Sequence, residues 1–499
     1  MSPKRACDTC ISRKVRCSGF SPCDTCRDAS KLVICTYSRP ARKRGPKARR
    51  FARQGQVVDI SSPDRPQSHG RLYSLPTKSK VAPDCISKSV LAVIVRRYQQ
   101  SSYGVWPVIN ADALLQEIKS GEPEDFDPQA AIFYCLVTSL CAATMAQLHL
   151  APISDGNSLV DSMVLAQTCQ RIRDNSNCDR GNPGINSILT SFFLHVYHAK
   201  LNQRTSAMIC IQDAIAGARI LRLDKPSLQS LSLSENKLIV NKDLIFPLLW
   251  VTERGYALHL NISPSYTSVP SVMELASGPT VDPQARGVLH LVRLFVAFDH
   301  ISLHRRSHTS VASASYLVDT ENELASDRLS MGGQISARTA DCHITREWMR
   351  TILWQEALAL GFLSSTSYMA LTSFGFPGQI GRDLLVSLQY FTAADLLPLG
   401  RDQLFKCFEI ASTLADTILL TPTTSHLGCE FGPQDFLHAL YQKLLPSLEQ
   451  DLLLKSNLHS KMAKVLVVAP NRLLMMETTN MREKESKNHR VAAGQKFTI

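Results

Sequence analysis

The stretch CDTCISRKVRC at residues 7–17 and the stretch CDTCRDASKLVIC at residues 23–35 form an imperfect repeat. Together they hold six cysteines at the spacing C-x2-C-x6-C-x5-C-x2-C-x8-C, namely Cys7, Cys10, Cys17, Cys23, Cys26 and Cys35. Cysteines clustered in this way in an intracellular chain indicate metal binding more often than disulfides. A tetrahedral zinc ion needs four ligands, so six thiolates serve two ions only if two sulfurs bridge. The count therefore predicts a binuclear zinc cluster.

The segment that carries these cysteines is too short to bury a stable apolar core, so zinc binding would supply its folding free energy. Two other interpretations of the cluster are a metal-buffering site and a disulfide knot. A buffer has no use for the basic run between Cys10 and Cys17, and a knot needs a secretory route. The first residues, MSPKR, are not followed by the apolar region of a signal peptide, which argues against secretion.

Positive charge is concentrated in the same part of the chain. Residues 1–50 contain 14 Lys or Arg and three Asp, a net charge of +11, whereas the whole chain of 499 residues carries +12. This distribution excludes an evenly basic protein of the ribosomal or chromatin-coating kind. It places a polyanion-binding surface at residues 1–50 and leaves a neutral body.

Residues 5–40 resemble the fungal Zn2Cys6 binuclear-cluster DNA-binding domain, in which two short helices related by a pseudo-twofold axis hold two zinc ions. The resemblance implies that Cys7 and Cys23 bridge the ions and that the remaining four cysteines are terminal ligands. It also implies that residues 11–16 enter the major groove and that Arg13 and Lys14 contact bases. Lys and Arg bind O6 and N7 of guanine, which fits the CGG half-site usual in this family.

Three further arginines, Arg5, Arg16 and Arg27, are expected to contact DNA phosphates, which positions the domain without reading sequence. The chain departs from the family pattern at Ile11, where most members have a basic residue. The loop from Cys17 to Cys23 is also one residue shorter than usual, although it keeps Gly19 and Pro22.

A second basic run follows the cysteines and is interpreted as a nuclear-import signal and a DNA-tracking arm. It consists of Arg42, Lys43, Arg44, Lys47, Arg49 and Arg50. Residues 43–47 are also similar to the segment after the cluster in regulators of maltose and starch use and of secondary-metabolite gene clusters. Residues 41–85 as a whole are expected to form a flexible linker. No sustained heptad pattern occurs there, so the sequence does not indicate a coiled-coil dimer. Monomeric DNA binding and a homodimer formed through the body both stay open.

The body, residues 86–470, is predicted to be a large all-α domain because apolar residues recur at helical spacing. The predicted helices cover 87–100, 111–119, 129–149, 157–174, 185–200, 204–221, 240–260, 284–304, 344–362, 382–390, 402–419, 433–443 and 458–467. The predicted breaks lie at 176–184, 263–283, 318–343 and 373–381. The apolar stretch 130–150 is expected to be a buried core helix and not a membrane span. A polar, disordered tail is expected over 471–499.

Roughly residues 90–320 resemble the fungal-specific transcription factor domain, the middle homology region. The likeness is carried by Tyr103–Ile109 with its Trp-Pro-Val, by Ala214–Asp224 and by Leu248–Leu258. Within the last stretch, Glu253 and Arg254 are interpreted as a structural ion pair, with effector sensing as the alternative. His300, His304 and His308 share a helical face but are expected to be an exposed basic segment and not a metal site.

These features predict a nuclear, zinc-dependent, sequence-specific regulator of RNA polymerase II transcription that binds double-stranded DNA and contacts the transcription machinery. Control of a secondary-metabolite gene cluster is the favoured role, and control of carbon-source genes of the maltose and starch type is the alternative. A third possibility is a ligand-sensing all-α protein whose zinc head contacts protein. Activation, as opposed to repression, is implied by the family alone. No phosphate loop, H-E-x-x-H or G-x-S-x-G motif occurs, so no enzyme is expected.

Overall fold

The computed structural model describes residues 6–29, 34–37, 85–120, 128–176, 183–225, 239–266, 268–270, 283–304, 314–326, 336–421, 431–449 and 451–469. The chain divides into two compact units, Met1–Ser79 and Lys80–Ile499. The predicted import signal Arg42–Arg50, the linker up to residue 84 and the tail 471–499 lie outside the described residues.

The first unit, the zinc head, contains two short helices, α1 (Asp8–Ser12) and α2 (Asp24–Arg27). Each helix follows the first cysteine of a CDTC repeat, and Cys7 and Cys23 are the N-cap residues. The core of this unit consists of Cys7, Cys10, Cys23 and Cys26, with Cys17, Cys35 and Tyr37 packed around them. Sulfur atoms thus occupy the place that apolar side chains fill in a larger domain.

The second unit, the body, is mainly helical in its described parts, with one hairpin and an isolated antiparallel bridge between Ile109 and Val240. Its first half contains α3 (Lys88–Arg97), α4 (Ala111–Ser120), α5 (Pro128–Leu148), α6 (Ser162–Ser176), α7 (Ile185–Lys200), α8 (Arg204–Ile220) and α9 (Lys242–Leu260). Its second half contains α10 (Pro283–His304), α11 (Ala314–Ser326), α12 (Ala337–Ala359), α13 (Phe376–Leu388), α14 (Ala393–Leu396), α15 (Gly400–Leu420), α16 (Pro433–Leu448) and α17 (Leu452–Val468).

Helix α5 is the apolar helix that the sequence predicts to be buried. It is the one helix among the described residues that is long and apolar enough to cross a membrane, and 83% of its apolar window is buried inside the body. It packs against α6 and α7, and α7 packs in turn against α8. The prediction of a core helix is confirmed.

Helix α12 lies at the centre of the second half, where it contacts α10, α11, α13 and α15. Its buried face carries charged side chains. Arg350 binds Glu347 on the same helix at 2.6 Å, Glu321 of α11 at 2.9 Å and Asp383 of α13 at 2.9 Å. Glu347 is fully buried, so the charges are neutralised inside the protein and not by water. Ion pairs, together with apolar contacts, therefore fix the positions of the helices around α12.

The predicted breaks at 318–343 and 373–381 are wrong for most of their described residues, and residues 327–335 lie outside the described part of the chain. The first contains most of α11 and the beginning of α12, and the second contains the first turns of α13. The beginning of α12 was not predicted because its buried face carries charged residues held in ion pairs, so apolar residues do not recur there at helical spacing. Pro377 lies in the first turn of α13, where proline is tolerated.

The helix predicted at 157–174 begins at Ser162, because the preceding residues form a hairpin. Strands β1 (Ile153–Asp155) and β2 (Ser158–Val160) pair in antiparallel fashion, with Asp155 opposite Ser158. Gly156 in the two-residue turn has a φ of +60°, which suits the turn types of short hairpins. The other predicted helices are present, although several begin or end some residues away from the predicted bounds.

Candidate metal centre and nucleic-acid interface

The six cysteines of the zinc head form two overlapping groups of four. One contains Cys7, Cys10, Cys17 and Cys23, the other contains Cys7, Cys23, Cys26 and Cys35, and the sulfur atoms within a group all lie within 4.8 Å of one another. Cys7 and Cys23 belong to both groups. Six thiol ligands thereby offer two four-sulfur sites, which is the donor set that two tetrahedral zinc ions require.

Matching hydrogen bonds relate the two halves of the head. The backbone N–H of Cys7 donates to Sγ of Cys17, the backbone N–H of Cys23 donates to Sγ of Cys35, and both distances are 3.4 Å. Each bond connects the first cysteine of a repeat to the third cysteine of the same repeat. The imperfect repeat in the sequence thus corresponds to a repeated structure.

Two threonines connect one half to the other. The hydroxyl of Thr9 in the first repeat donates to the carbonyl of Ile34, directly before Cys35, at 2.7 Å. The hydroxyl of Thr25 in the second repeat donates to the carbonyl of Arg16, directly before Cys17, at 2.8 Å. Each half therefore holds the third cysteine of the other half in place. Neither threonine was predicted from the sequence, although the recurrence of CDTC is a signal that marks both of them.

The close approach of the thiols gives them different proton affinities. Burial raises the pKa of Cys10 to about 12 and also raises the pKa of Cys26. Burial acts in the same direction on Cys7, but hydrogen bonds from the backbone N–H of Cys10 and from neighbouring thiols lower its pKa to about 6. A bound divalent cation deprotonates a coordinating thiol outright. The donor set therefore fits zinc, which would hold all six sulfurs as thiolates.

The basic segment after α1 begins with a helix stop that strains one residue. The N–H of Lys14 donates to the carbonyl of Ile11, and the N–H of Val15 donates to the carbonyl of Cys10. This is the Schellman arrangement, in which the residue after the C-cap adopts left-handed geometry and is usually glycine. Here that residue is Lys14, with a φ of +53°.

Arg13, Lys14 and Arg16 all have exposed side chains, so this end of α1 presents three cations to solvent. Arg27 is also exposed, but its guanidinium binds Asp24 at 2.8 Å and Asp28 at 3.3 Å. An Arg27 contact to phosphate would therefore compete with these carboxylates. Arg5 lies outside the described residues.

In the body, Glu253 and Arg254 are both buried but do not bind each other, which corrects the predicted ion pair. Arg254 pairs with Asp299 at 3.1 Å and lies 3.6 Å from the centre of the Trp250 ring. Oε1 of Glu253 accepts the backbone N–H of Ser265 at 2.7 Å. The two residues hold separate neighbours of α9. Among the predicted histidines, His308 lies outside the described residues.

Comparison with known proteins agrees with the geometry of the head. Residues 5–44 match the family model of the fungal Zn(2)-Cys(6) binuclear cluster domain. The head is therefore a Zn2Cys6 binuclear cluster domain, which binds two zinc ions.

Similarity to individual proteins extends through the body. The chain is 26% identical to maltose fermentation regulatory protein MAL13 of Saccharomyces cerevisiae, over 83% of this chain and 84% of that protein. It is 25% identical to maltose fermentation regulatory protein MAL63 of the same species, over 83% and 85%. It is 23% identical to the respiratory transcription factor ZNF1 of that species, again over 83% and 85%. No solved structure matches the chain.

Proposed function

We propose that the protein is a nuclear, pathway-specific activator that controls genes for the use of a carbon source such as maltose. The observation that carries this proposal is the similarity to MAL13 and MAL63, which spans head and body alike. The role favoured by the sequence, control of a secondary-metabolite cluster, receives no support from these relatives. Growth and transcript measurements on a deletion strain distinguish the two roles.

The proposed zinc ligands are the six cysteines of the head, with Cys7 and Cys23 as bridges because they alone belong to both sulfur groups. Arg13 and Lys14 are proposed to contact guanines of a CGG-type element, and Arg5, Arg16 and Arg27 are proposed to contact phosphates. The proposed organisation is a zinc domain at 1–40, an import segment and linker at 41–85, a regulatory domain at 86–470 and a tail at 471–499. We propose no catalytic activity for the protein. We propose that it contacts the transcription machinery when bound to DNA.

Binding of the zinc-loaded full chain to a CGG duplex, measured over a series of salt concentrations, tests the DNA contacts. Affinity is expected to fall steeply with salt, because bound cations release counterions from DNA. Lys14→Ala should remove most of the preference for CGG over a scrambled duplex, by about 1–3 kcal/mol. Lys119→Ala, which changes an exposed lysine of the body, is the matched control and should change neither quantity. A head with no preference for CGG would instead support the protein-contact alternative.

The regulated pathway is tested by deleting the gene and measuring growth and transcripts on maltose and on glucose. The proposal predicts poor growth on maltose and loss of induced transcripts for sugar uptake and hydrolysis. Normal growth on maltose, with loss of transcripts from a biosynthetic gene cluster, would contradict this proposal and support a role in secondary metabolism.

A further inference from the structure

The recognition segment of the zinc head, residues 11–16, is exposed over its whole length and combines two chemistries. Besides its three cations it contains two apolar side chains, Ile11 and Val15, which are 46% and 40% exposed. A single exposed apolar residue is ordinary on a protein surface. Two of them within a run of cations form a surface that suits a partner with both negative charge and apolar groups.

The turn at the end of α1 holds these apolar residues beside Lys14. The carbonyl of Ile11 accepts the backbone N–H of Lys14 at 3.2 Å, and the carbonyl of Cys10 accepts the backbone N–H of Val15 at 3.1 Å. Both apolar residues therefore lie within one turn of the lysine that is proposed to contact guanine. Ile11 is also β-branched and has few rotamers, so a contact restricts its side chain little.

The second repeat shows that this surface is particular to the first. Arg27 takes the position that corresponds to Ile11, directly after the second cysteine of its repeat, and binds Asp24 at 2.8 Å and Asp28 at 3.3 Å. The first repeat contains a single acid, Asp8, and that residue is only 9% exposed. The cations beside Ile11 are therefore not neutralised by their own repeat, whereas the cation of the second repeat is.

The major groove of DNA offers both groups that the recognition segment matches. Guanine presents O6 and N7 to cations, and thymine presents an apolar group, its C5 methyl. An isoleucine cannot bind a phosphate as an arginine does. Burial of Ile11 against DNA is therefore favourable where an apolar group lies opposite it.

We propose that Ile11, supported by Val15, contacts the C5 methyl of a thymine within about two base pairs of the CGG element, an inference that rests on the proposed DNA contacts of the head. Base pairs stack every ~3.4 Å, so residues joined by one backbone hydrogen bond, as Ile11 and Lys14 are, reach neighbouring pairs. The head then recognises a longer element than CGG alone.

Selection of bound duplexes by the zinc-loaded full chain, with random base pairs on both sides of CGG, identifies the flanking preference. Thymine should be enriched at one position on either strand. Deoxyuridine in its place removes only the methyl group and should weaken binding about two- to fivefold, the change expected for one buried methyl. At the same position 5-methylcytosine should bind more tightly than cytosine, which separates the methyl contact from the shape of an A·T pair.

Substitutions of Ile11 assign the contact to this side chain. Ile11→Ala should bind the thymine and deoxyuridine duplexes about equally, whereas Ile34→Ala, at an exposed isoleucine outside the recognition segment, should keep the wild-type ratio. Ile11→Arg introduces the residue that the second repeat has at this position. It should also lose the ratio, and its affinity should fall more steeply with salt, by roughly 0.9 in the logarithmic slope.

The inference is overturned if no flanking thymine is enriched, if deoxyuridine binds as thymine does, or if zinc-loaded Ile11→Ala keeps the wild-type ratio. Zinc content shows whether each variant is folded. If neither Ile11 variant holds zinc, the deoxyuridine and 5-methylcytosine duplexes decide with the wild-type chain. Preference of the wild type for CGG over a scrambled duplex tests the proposed function separately. With that preference present, a missing thymine effect removes only this inference, and without it both fail.

Discussion

Lys14 occupies a left-handed position that the Schellman stop of α1 requires, and it is also the residue proposed to read guanine. Left-handed geometry costs an ordinary residue roughly 1–2 kcal/mol. Glycine avoids this cost but loses about 0.5–1 kcal/mol in backbone entropy on folding. Lys14→Gly should therefore stabilise the folded head by about 1 kcal/mol. Lys14→Ala keeps the strained geometry and should leave stability almost unchanged.

The two substitutions should have the same effect on DNA recognition, because both remove the ammonium group. Each should lower the preference for CGG by about 1–3 kcal/mol. Since zinc binding and folding of the head are coupled, stability is read as resistance to a chelator. A gain of about 1 kcal/mol is about fivefold in the equilibrium constant for release of both zinc ions, and therefore corresponds to about twofold more chelator for half-release of zinc from the full chain.

Arg13→Gly is the matched control for this comparison. Arg13 has a φ of −82°, so glycine relieves no strain there and should make zinc easier to remove. The reasoning would be refuted if Lys14→Gly released zinc as readily as Lys14→Ala, or if Arg13→Gly and Lys14→Gly shifted the titration in the same direction.

Three further results are expected. Thr25→Val should lower the stability of the head by about 1 kcal/mol, because it removes the hydroxyl that donates to the carbonyl of Arg16, and a chelator should then remove zinc more easily. Thr25→Ser keeps this donor and should leave zinc release unchanged. Equal effects of the two substitutions would contradict the hydrogen bond to Arg16. His343 is buried, neither ring nitrogen has a partner in the described part of the chain, and burial lowers its pKa to about 4. The unfolded chain therefore binds more protons than the folded chain, so the stability of the body should fall as the pH drops from about 6.5 to 4. His343→Leu should make the melting temperature depend less on pH over this range. An unchanged slope would contradict this role of His343. Removal of zinc by a chelator should abolish DNA binding but leave the helical circular dichroism of the body nearly intact, and a large loss of helicity would show that the body depends on zinc.

The cysteine head could be predicted from sequence because its chemistry is local. All six ligands lie within residues 7–35, and thiolate coordination imposes a spacing that few other functions share. The bonds of Thr9 and Thr25 were not predicted, since they depend on which carbonyl lies across the pseudo-twofold axis. A repeat in the sequence shows that two segments are alike but not how they face each other.

The helices around α12 show where periodicity fails. Apolar spacing predicts a helix only if its buried face is apolar, and α12 buries Arg338, Asp341, Glu347 and Arg350. In α13, Gly381 was interpreted as part of a break. A Cβ there would lie 2.8 Å from Leu414 of α15, so the glycine permits close packing of two helices.

A partly open cavity in the body, between α5, α7, α9, α12 and α15, could not be predicted, because its wall is assembled from residues far apart in the chain. Gln147, His195, Tyr256, Arg338 and Lys406 come from five different helices. No local pattern marks any of them, since each is an ordinary polar residue of its own helix. Only the packing of α5, α7, α9, α12 and α15 brings them together.

The charged face of α12 bears on recombination between related genes. Arg350 needs carboxylates from α11 and α13, and Asp341 needs Gln403 and Lys406 of α15. A crossover between these helices would combine a charged residue from one parent with the facing residues of the other parent, which need not carry the matching charge. A buried charge without its partner lowers the stability of the fold by about 3–5 kcal/mol. Residues 314–420 should therefore be inherited as one block, whereas an exchange of the zinc head, which shares none of these pairs, leaves them undisturbed. Chimeras that exchange DNA specificity should thus be easier to obtain than chimeras that divide the body.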